Sequence, residues 1–541
     1  MKGTIMADPL TQISTRRTPQ TEQADPRQVP NSAGGYTFTV ARTARLHRFL
    51  TLGTEGGTYY ASERDLTRSN AAVVLDWARD DTAALVSEIV AVSQKGRAPR
   101  NNPALFALAA AAGLGGDAGR KAALNALPLV ARTGTHLFQF CGYVRNFRGW
   151  GRGLTRAVGH WYLDKDPQAL SYQVLKYRQR GGWSQRDVLR LAHPAGTGGH
   201  KDLFNWICGR ETDLAELPLV QAFVQAQVAT TARQWCQLIS ANPSLTWEML
   251  PDAALGNSDV WMTLIENGMP QTALMRQLPR LTRLGVLNQI GEQTTRVAQQ
   301  LADRDRLVRA RVHPVNILVA LRTYAAGHGV RGQGEWAPVA RIVDALDAAF
   351  YAAYGAVEPS GKRTMLALDV SGSMDYSVSG MPLTCREASA ALALVTAATE
   401  PQAVITGFTS ESRGRLYGQS GISELNISPR QRLDDAIRTI SNLPFGGTDC
   451  ALPMLYATAR NLDIDHFSVY TDNETWAGRV HPHQALREYR EKSGIGARMS
   501  VVGMTATDFT IADPDDPGTL DVAGFDSAVP QLLADFARGD V

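Results

Sequence analysis

The sequence predicts two architectures in one chain: an α-helical repeat array over residues 31–360 and an α/β domain with a parallel sheet over residues 361–541. Three observations carry this. From about residue 36 to 355 the chain reads as helix after helix, each of roughly ten to fifteen residues, joined by short Gly, Pro or Asn turns. Beyond that, apolar strand candidates at 365–369, 402–408, 466–471 and 499–504 alternate with helical stretches near 384–399, 430–440, 449–460 and 482–492, the βαβ order of a sheet with helices on both faces. At 541 residues the chain also exceeds what one hydrophobic core serves.

Residues 1–30, rich in Thr, Gln, Arg, Pro and Asp, are expected to form a disordered, solvated tail, with Arg16, Arg17 and Arg27 available to a polyanion. The helical segments that follow include 70–80, 82–94, 103–113, 119–132, 135–147, 150–163, 167–180 and 184–193. Hairpins of roughly 40 residues stacked side by side would make a HEAT-like array. No strict repeat consensus is visible, so helix density and loop length carry this reading against a plain multi-helix globule.

The net charge of +3 conceals a split. Residues 1–359 carry 40 Lys and Arg against 29 acids, and residues 360–541 carry 15 against 23, so a polyanion partner is expected for the first part only. The excess concentrates in residues 132–210, with thirteen basic residues against Asp164, Asp166, Asp187 and Asp202. Arg152 and Arg156, Lys176 and Arg180, and Arg186 and Arg190 are spaced i, i+4, so three successive helix candidates stack like charges on one face. Each pair costs a helix about 0.2–0.5 kcal/mol unless something outside neutralises it. Phosphates would do so, and Trp150, Trp161, Tyr172, Tyr177 and Trp183 would supply stacking surfaces for unpaired bases. The bland alternative is a solvated basic face over core aromatics. His193 ends a helix that Ser184 caps with Asp187 three residues on and that Pro194 stops, where a helix C-terminus favours imidazolium.

Five widely spaced cysteines without a Cys-x-x-Cys pair fit a reducing cytoplasm. No run approaches 18 apolar residues and no apolar leader is seen, so neither a membrane span nor export is expected.

In the α/β part the first apolar strand runs into Asp369-Val-Ser371-Gly-Ser373. Two later loops hold Thr448, in Gly446-Gly447-Thr448-Asp449, and Asp472, in Thr471-Asp472-Asn473-Glu474. Loops at the carboxyl ends of parallel strands gather at one edge of the sheet. Two carboxylates and three hydroxyls are hard donors, suited to magnesium or manganese with one position open to an outside acidic ligand. The local alternative is a strand-end turn in which Asp and Ser satisfy backbone groups. The five residues resemble, position by position, the metal-ion-dependent adhesion site of von Willebrand factor A domains, a Rossmann-like fold.

A wider resemblance covers the chain from about residue 30 onward. Leu46-His-Arg-Phe-Leu-Thr-Leu-Gly-Thr-Glu-Gly-Gly-Thr-Tyr-Tyr60, Lys176-Tyr-Arg-Gln-Arg180-Gly-Gly-Trp-Ser184, Leu189-Arg-Leu-Ala-His193, Val357-Glu-Pro-Ser-Gly-Lys362 and Gly446-Gly-Thr-Asp-Cys450 are similar to the Ro autoantigen family of TROVE-domain ribonucleoproteins, in a bacterial form. That resemblance implies a HEAT-like helical ring closed by the A-type domain, with Y RNA on the outer basic surface and single-stranded 3′ ends of misfolded or precursor RNAs in a central hole. It implies RNA-binding roles for Lys176, Arg180 and His193, a 3′-to-5′ exoribonuclease partner, a part in RNA quality control under stress, and a chain monomeric without RNA. It also implies no catalysis. Consistent with this, Asp369 lacks the nearby second Asp of a phosphoryl-transfer nucleophile, and no Ser-His-Asp or paired-Cys arrangement stands out. The other reading is a metal-dependent protein-binding module without RNA function, its basic helices only balancing the acidic domain.

Overall fold

The structure, a computed structural model, describes residues 17–541 except 55–57, 59–61, 330–333, 355–356, 379–380, 411–420, 429–430, 442 and 444–445. Two compact units divide the chain: residues up to Ala71 together with Tyr354–Val541, and Ala72–Ala353.

The first unit is built on a six-stranded sheet in the order Thr519–Ala523, Arg498–Gly503, His466–Thr471, Thr364–Asp369, Ala403–Phe408, Ile422–Glu424. All neighbours are parallel except the last pair. The strands Thr364–Asp369 and His466–Thr471 are buried along their whole length; the first reads as a nearly continuous apolar run, whereas the second buries His466, Ser468 and Thr471 with its apolar residues. One face packs Met365, Phe467, Val469 and Val501 against Leu452, Met454, Leu486 and Tyr489 of the helices Leu452–Arg460 and Pro482–Ser493. The helix Cys385–Thr399 lies on the same sheet, capped by Thr384 and Glu387 in a reciprocal pair. The four expected strands are present. The edge strands Ile422–Glu424 and Thr519–Ala523 were not anticipated; three to five residues without a full apolar face leave little signal.

The expectation of a disordered tail fails for residues 17–30, and residues 1–16, with Arg16, lie outside the described residues. Strands Gln28–Pro30 and Tyr36–Thr39 pair antiparallel, and the second pairs with Phe509–Thr510. The chain is polar here because its partners are polar. Gln20, with no exposed surface, donates from Nε2 to Asp449 Oδ1 (2.7 Å) and the Val480 carbonyl (2.9 Å), while Oε1 accepts from Thr475 Oγ1 (2.6 Å) and the Gly478 amide (3.1 Å). Arg17 pairs with Glu488, and Arg27 with Asp25, Asp513 and Asp515, so neither is a free cation for a polyanion. In the helix Arg42–Leu52, the buried Arg48 donates to the carbonyls of Thr507 (2.8 Å) and Phe509 (3.1 Å) and pairs with Asp521. The boundary expected at 360/361 therefore differs from the observed division, because the residues up to Ala71 belong with the α/β unit.

The second unit is almost wholly helical, with helices from Thr82–Lys95 to Ala340–Ala352. The segment expected as one helix at 119–132 is two, Asp117–Asn125 and Leu127–Val130, with Pro128 in the first turn of the second. The helix expected at 167–180 stops at Lys176, and Gln179–Arg180 pairs instead with Trp183–Ser184 in a hairpin. The two ends of this unit bond to each other. Arg311 donates to Gln94 (3.2 Å), His313 Nε2 lies 3.0 Å from the Arg97 carbonyl, and Asn316 donates to the Pro99 carbonyl (3.2 Å), closing the array on itself. Among the described residues, no helix is long and apolar enough to cross a membrane, and all five cysteines are free.

Gln20→Ala is expected to lower stability by about 2–3 kcal/mol, since it strands buried partners on two loops while removing little volume. Urea denaturation of the full chain checks this; a change under about 0.5 kcal/mol would return residues 17–30 to the status of a tail.

Candidate functional site

In the α/β unit, the loops that carry the five expected donors are tied to one another by hydrogen bonds. The strand Thr364–Asp369 ends at the sheet's carboxyl edge and delivers Asp369, whose Oδ1 accepts from the Ser371 amide (2.9 Å) and Oδ2 from Thr471 Oγ1 (2.7 Å). Ser371 and Ser373 hydroxyls lie 3.2 Å apart. The Gly372 amide donates to the Gly446 carbonyl (3.3 Å), fastening the Thr448 loop to the first. The amides of Trp476 and Ala477 donate to the Thr448 carbonyl (3.1 and 3.0 Å), fastening it to the Asp472 loop. Beneath, Arg386 donates to the carbonyls of Val370 (3.0 Å) and Ser371 (3.3 Å), a support that sequence reading missed because its targets are backbone atoms.

Asp369, Ser371, Ser373, Thr448 and Asp472 are all buried. Burial pushes the Asp369 carboxyl above the ordinary carboxylate range. Asp472 is raised too, by burial first and then by the charge of Asp369. Glu474 is pushed up to about 8, by burial and then by Asp472. Crowded, desolvated carboxylates beside the Ser371 and Ser373 hydroxyls are hard donors whose charge a divalent cation would neutralise. Among the described residues, no three His, Cys, Asp or Glu side chains gather as a ligand cluster.

In the helical unit, Arg152 and Arg156 lie on the helix Arg152–Leu163, and Arg186 and Arg190 on the helix Gln185–Ala192, which packs against it. All four are exposed, and Arg180 with them. None of the five forms an ion pair or hydrogen bond among the described residues. His193 is exposed at the helix end in a left-handed conformation (φ 42°), after the Ser184–Asp187 capping box that the sequence suggested.

Two expectations are corrected. Lys176 and Arg180 do not stack on one helix, because the helix ends between them. Lys176 is also no free cation: its side chain is 12 % exposed, its ammonium donates to Tyr172 Oη (2.9 Å) and lies 3.5 Å from Glu248. Of the five aromatics, Trp161 is wholly buried and Tyr172 and Tyr177 pack around Lys176, whereas Trp150 and Trp183 stack on each other and line a surface pocket. Helical spacing does not separate core aromatics from surface ones.

The chain matches the TROVE domain over residues 29–212 and 239–323, and the Ro60 vWA domain over residues 363–537. It is 42% identical to the RNA-binding protein RO60 of Deinococcus radiodurans over 99% of this chain and 100% of that one. To the RNA-binding protein RO60 of Caenorhabditis elegans it is 34% identical over 96% of this chain and 92% of that one. The crystal structure of the Deinococcus radiodurans RO (RSR) protein aligns with a TM-score of 0.69 at 40% identity, covering 93% of this chain and all of that chain.

Lys176→Ala is expected to cost about 2 kcal/mol, because it leaves the half-buried Tyr172 hydroxyl and Glu248 without their cation. Arg180→Ala and His193→Ala should stay within about 0.5 kcal/mol of the parent. Chemical denaturation of the three single variants decides it, and equal stability of all three would place Lys176 with the free cations.

Proposed function

Because the chain belongs to the Ro60 family of TROVE-domain proteins, we propose that it is an RNA-binding ribonucleoprotein component that captures RNA on the basic face of its helical unit. The observation that supports this most is the set of exposed arginines that form no ion pair or side-chain hydrogen bond among the described residues. Arg152, Arg156, Arg186 and Arg190 stand exposed on two packed helices, with Arg180 on the neighbouring hairpin and His193 at the helix end. Like charges at i, i+4 cost a helix about 0.2–0.5 kcal/mol per pair, and phosphates remove that cost.

The RNA taken there is a small structured Y RNA. Single-stranded 3′ ends of misfolded or precursor RNAs are held by the same helical unit and presented to a 3′-to-5′ exoribonuclease during maturation, decay or stress. The protein performs no chemistry itself and works in the cytoplasm, as a monomer until RNA joins it. Lys176 contributes by bracing the hairpin's approach rather than by meeting phosphate directly.

Magnesium or manganese would be held by Asp369, Ser371, Ser373, Thr448 and Asp472, where it supplies a Lewis-acid position for an acidic group of a protein ligand. The chain's own residues do the rest. Ser371 and Thr471 fix the rotation of the Asp369 carboxylate, and the bonds from Gly372, Trp476 and Ala477 hold the loops at one spacing.

RNA affinity should fall with salt on a log–log plot with a slope of about −4, near 0.7–0.9 for each of roughly five neutralised phosphates. Arg152→Ala with Arg156→Ala should flatten that slope by about 1.5. Affinity indifferent to salt would instead favour a protein-binding module whose basic helices have no RNA to meet.

Asp369→Ala should abolish magnesium binding in calorimetric titration while leaving RNA affinity within about twofold, and a chelator should spare RNA binding by the parent protein. Loss of all RNA affinity on chelation alone would refute the separation of the two tasks.

A further inference from the structure

At the seam where the helical array closes on itself, two aliphatic side chains are exposed among cations that have no acids to meet. We infer that this seam docks an acidic segment of a protein partner, one that carries aliphatic side chains between its carboxylates.

One side-chain amide builds the seam. Gln94, in the last turn of the helix Thr82–Lys95, donates from Nε2 to the Leu129 carbonyl (2.7 Å) and accepts at Oε1 from Arg311 (3.2 Å). The Arg311 amide in turn donates to the Val308 carbonyl (3.0 Å). Leu129 and Val308 are thus linked to the same amide from two distant segments, and their side chains are 46 % and 59 % exposed. The approach is close. Gly96 ends the first helix in the left-handed conformation (φ 65°), and a Cβ there would lie 3.3 Å from that of Arg311. Glycine meets both conditions without strain, so the surface is formed in advance and a partner has little left to order.

Charge selects the kind of partner. Lys95, Arg132, Arg309 and Arg311 lie on the same three segments, and none of them pairs with an acid among the described residues. Residues 89–116, 118–163 and 306–334 contain no Asp or Glu at all. Asp303 and Asp305 open the helix that carries Val308, but Arg304, Arg306, Arg309 and Arg311 outnumber them. Arg132 has its Nε buried without a partner, and burial, then the charge of Arg311, hold its guanidinium below the ordinary range. Carboxylates arriving from outside relieve that repulsion. A second copy docked symmetrically would only set these cations against themselves.

The side chains between the cations favour protein over RNA. Residues 89–105, 121–134 and 303–316 contain no Phe, Tyr or Trp, so the seam offers no platform on which a base could stack. Exposed Leu and Val gain nothing from phosphate and are covered well by other aliphatic groups. An aliphatic centre with a charged rim is the anatomy of a protein–protein contact, and two side chains make a small one, of the transient class.

Random dodecapeptides displayed on phage, selected on the immobilised full chain, supply the probe, and fluorescence anisotropy reads the affinity of the most enriched peptide. The selected sequences should carry acids interleaved with Leu, Ile or Val. That peptide should bind about tenfold more weakly to a Leu129→Ser, Val308→Ser double variant, and equally so to Arg309→Glu, while RNA affinity of the double variant stays within about twofold of the parent. If the double variant fails to fold, Arg309→Glu decides the matter alone. Selected peptides without acids, or an affinity that the folded variants leave unchanged, overturn the proposal. A tenfold loss of RNA affinity in the double variant overturns it in favour of RNA, and a dimer of the parent that the double variant disperses in sedimentation overturns it in favour of a second copy.

Discussion

The requirement that a buried polar group find a partner organises this molecule more than any apolar contact does. Gln20, Arg48, Asp369 and Arg386 are all shut away from water, and every one is placed where backbone or side-chain partners from distant segments converge. Each such group left unpaired would cost about 1–3 kcal/mol, so the segments carrying them have few alternative positions. Gln20 thereby holds the Asp449 and Thr475 loops together, and those loops in turn position Thr448. The loops that carry Thr448 and Asp472 are thus tied, through one neutral amide, to a distant N-terminal part of the chain.

How much of this could be read from the sequence follows the same division. The strands at 364–369 and 466–471 were visible because Met365, Leu366 and Leu368 in the first and Phe467, Val469 and Tyr470 in the second make short apolar stretches between turn signals, and the Ser184–Asp187 cap because it is local. As candidates, Asp369, Ser371 and Ser373 stand within five residues, Thr448 was read from its Gly-Gly-Thr-Asp loop, and Asp472 from its place just after an apolar strand. What escaped detection depends on partners hundreds of residues away. Residues 17–30 look like a tail because their hydrogen-bonding atoms match polar atoms on loops near 449–484, and composition carries no trace of that match. Lys176 and Arg180 misled for the opposite reason: a spacing of four implies a shared face only while the helix lasts, and Gly181-Gly182 turn the chain before it could.

The basic helices show a further cost. Arg152 opens its helix with no acid in the first turn, and Arg186 is the second residue of the next, so both cations sit at the positive end of a helix dipole. That placement is unfavourable by about 0.3–1 kcal/mol each, beyond the repulsion from their i+4 partners. Helix N-termini draw anions through the same dipole and through their unpaired amides. A surface this uncomfortable alone gains more from a phosphate backbone than the same number of arginines placed mid-helix. Stability has been given up along a single face.

The pairing of the first strands with the last part of the chain has a consequence for synthesis on the ribosome. Arg48 waits for the Phe509 carbonyl, 461 residues downstream, and Tyr36–Thr39 for the strand beside it. At bacterial elongation rates that interval is roughly 25–90 s, far longer than a helical hairpin needs to form. Throughout it, the N-terminal strand has an open edge, and the polar side chains that leave it short of apolar surface keep it from pairing with other nascent chains. The helical unit, closed by bonds between its own two ends, can complete itself during the same interval. In the order of manufacture, the inserted array is finished before the fold into which it is inserted exists.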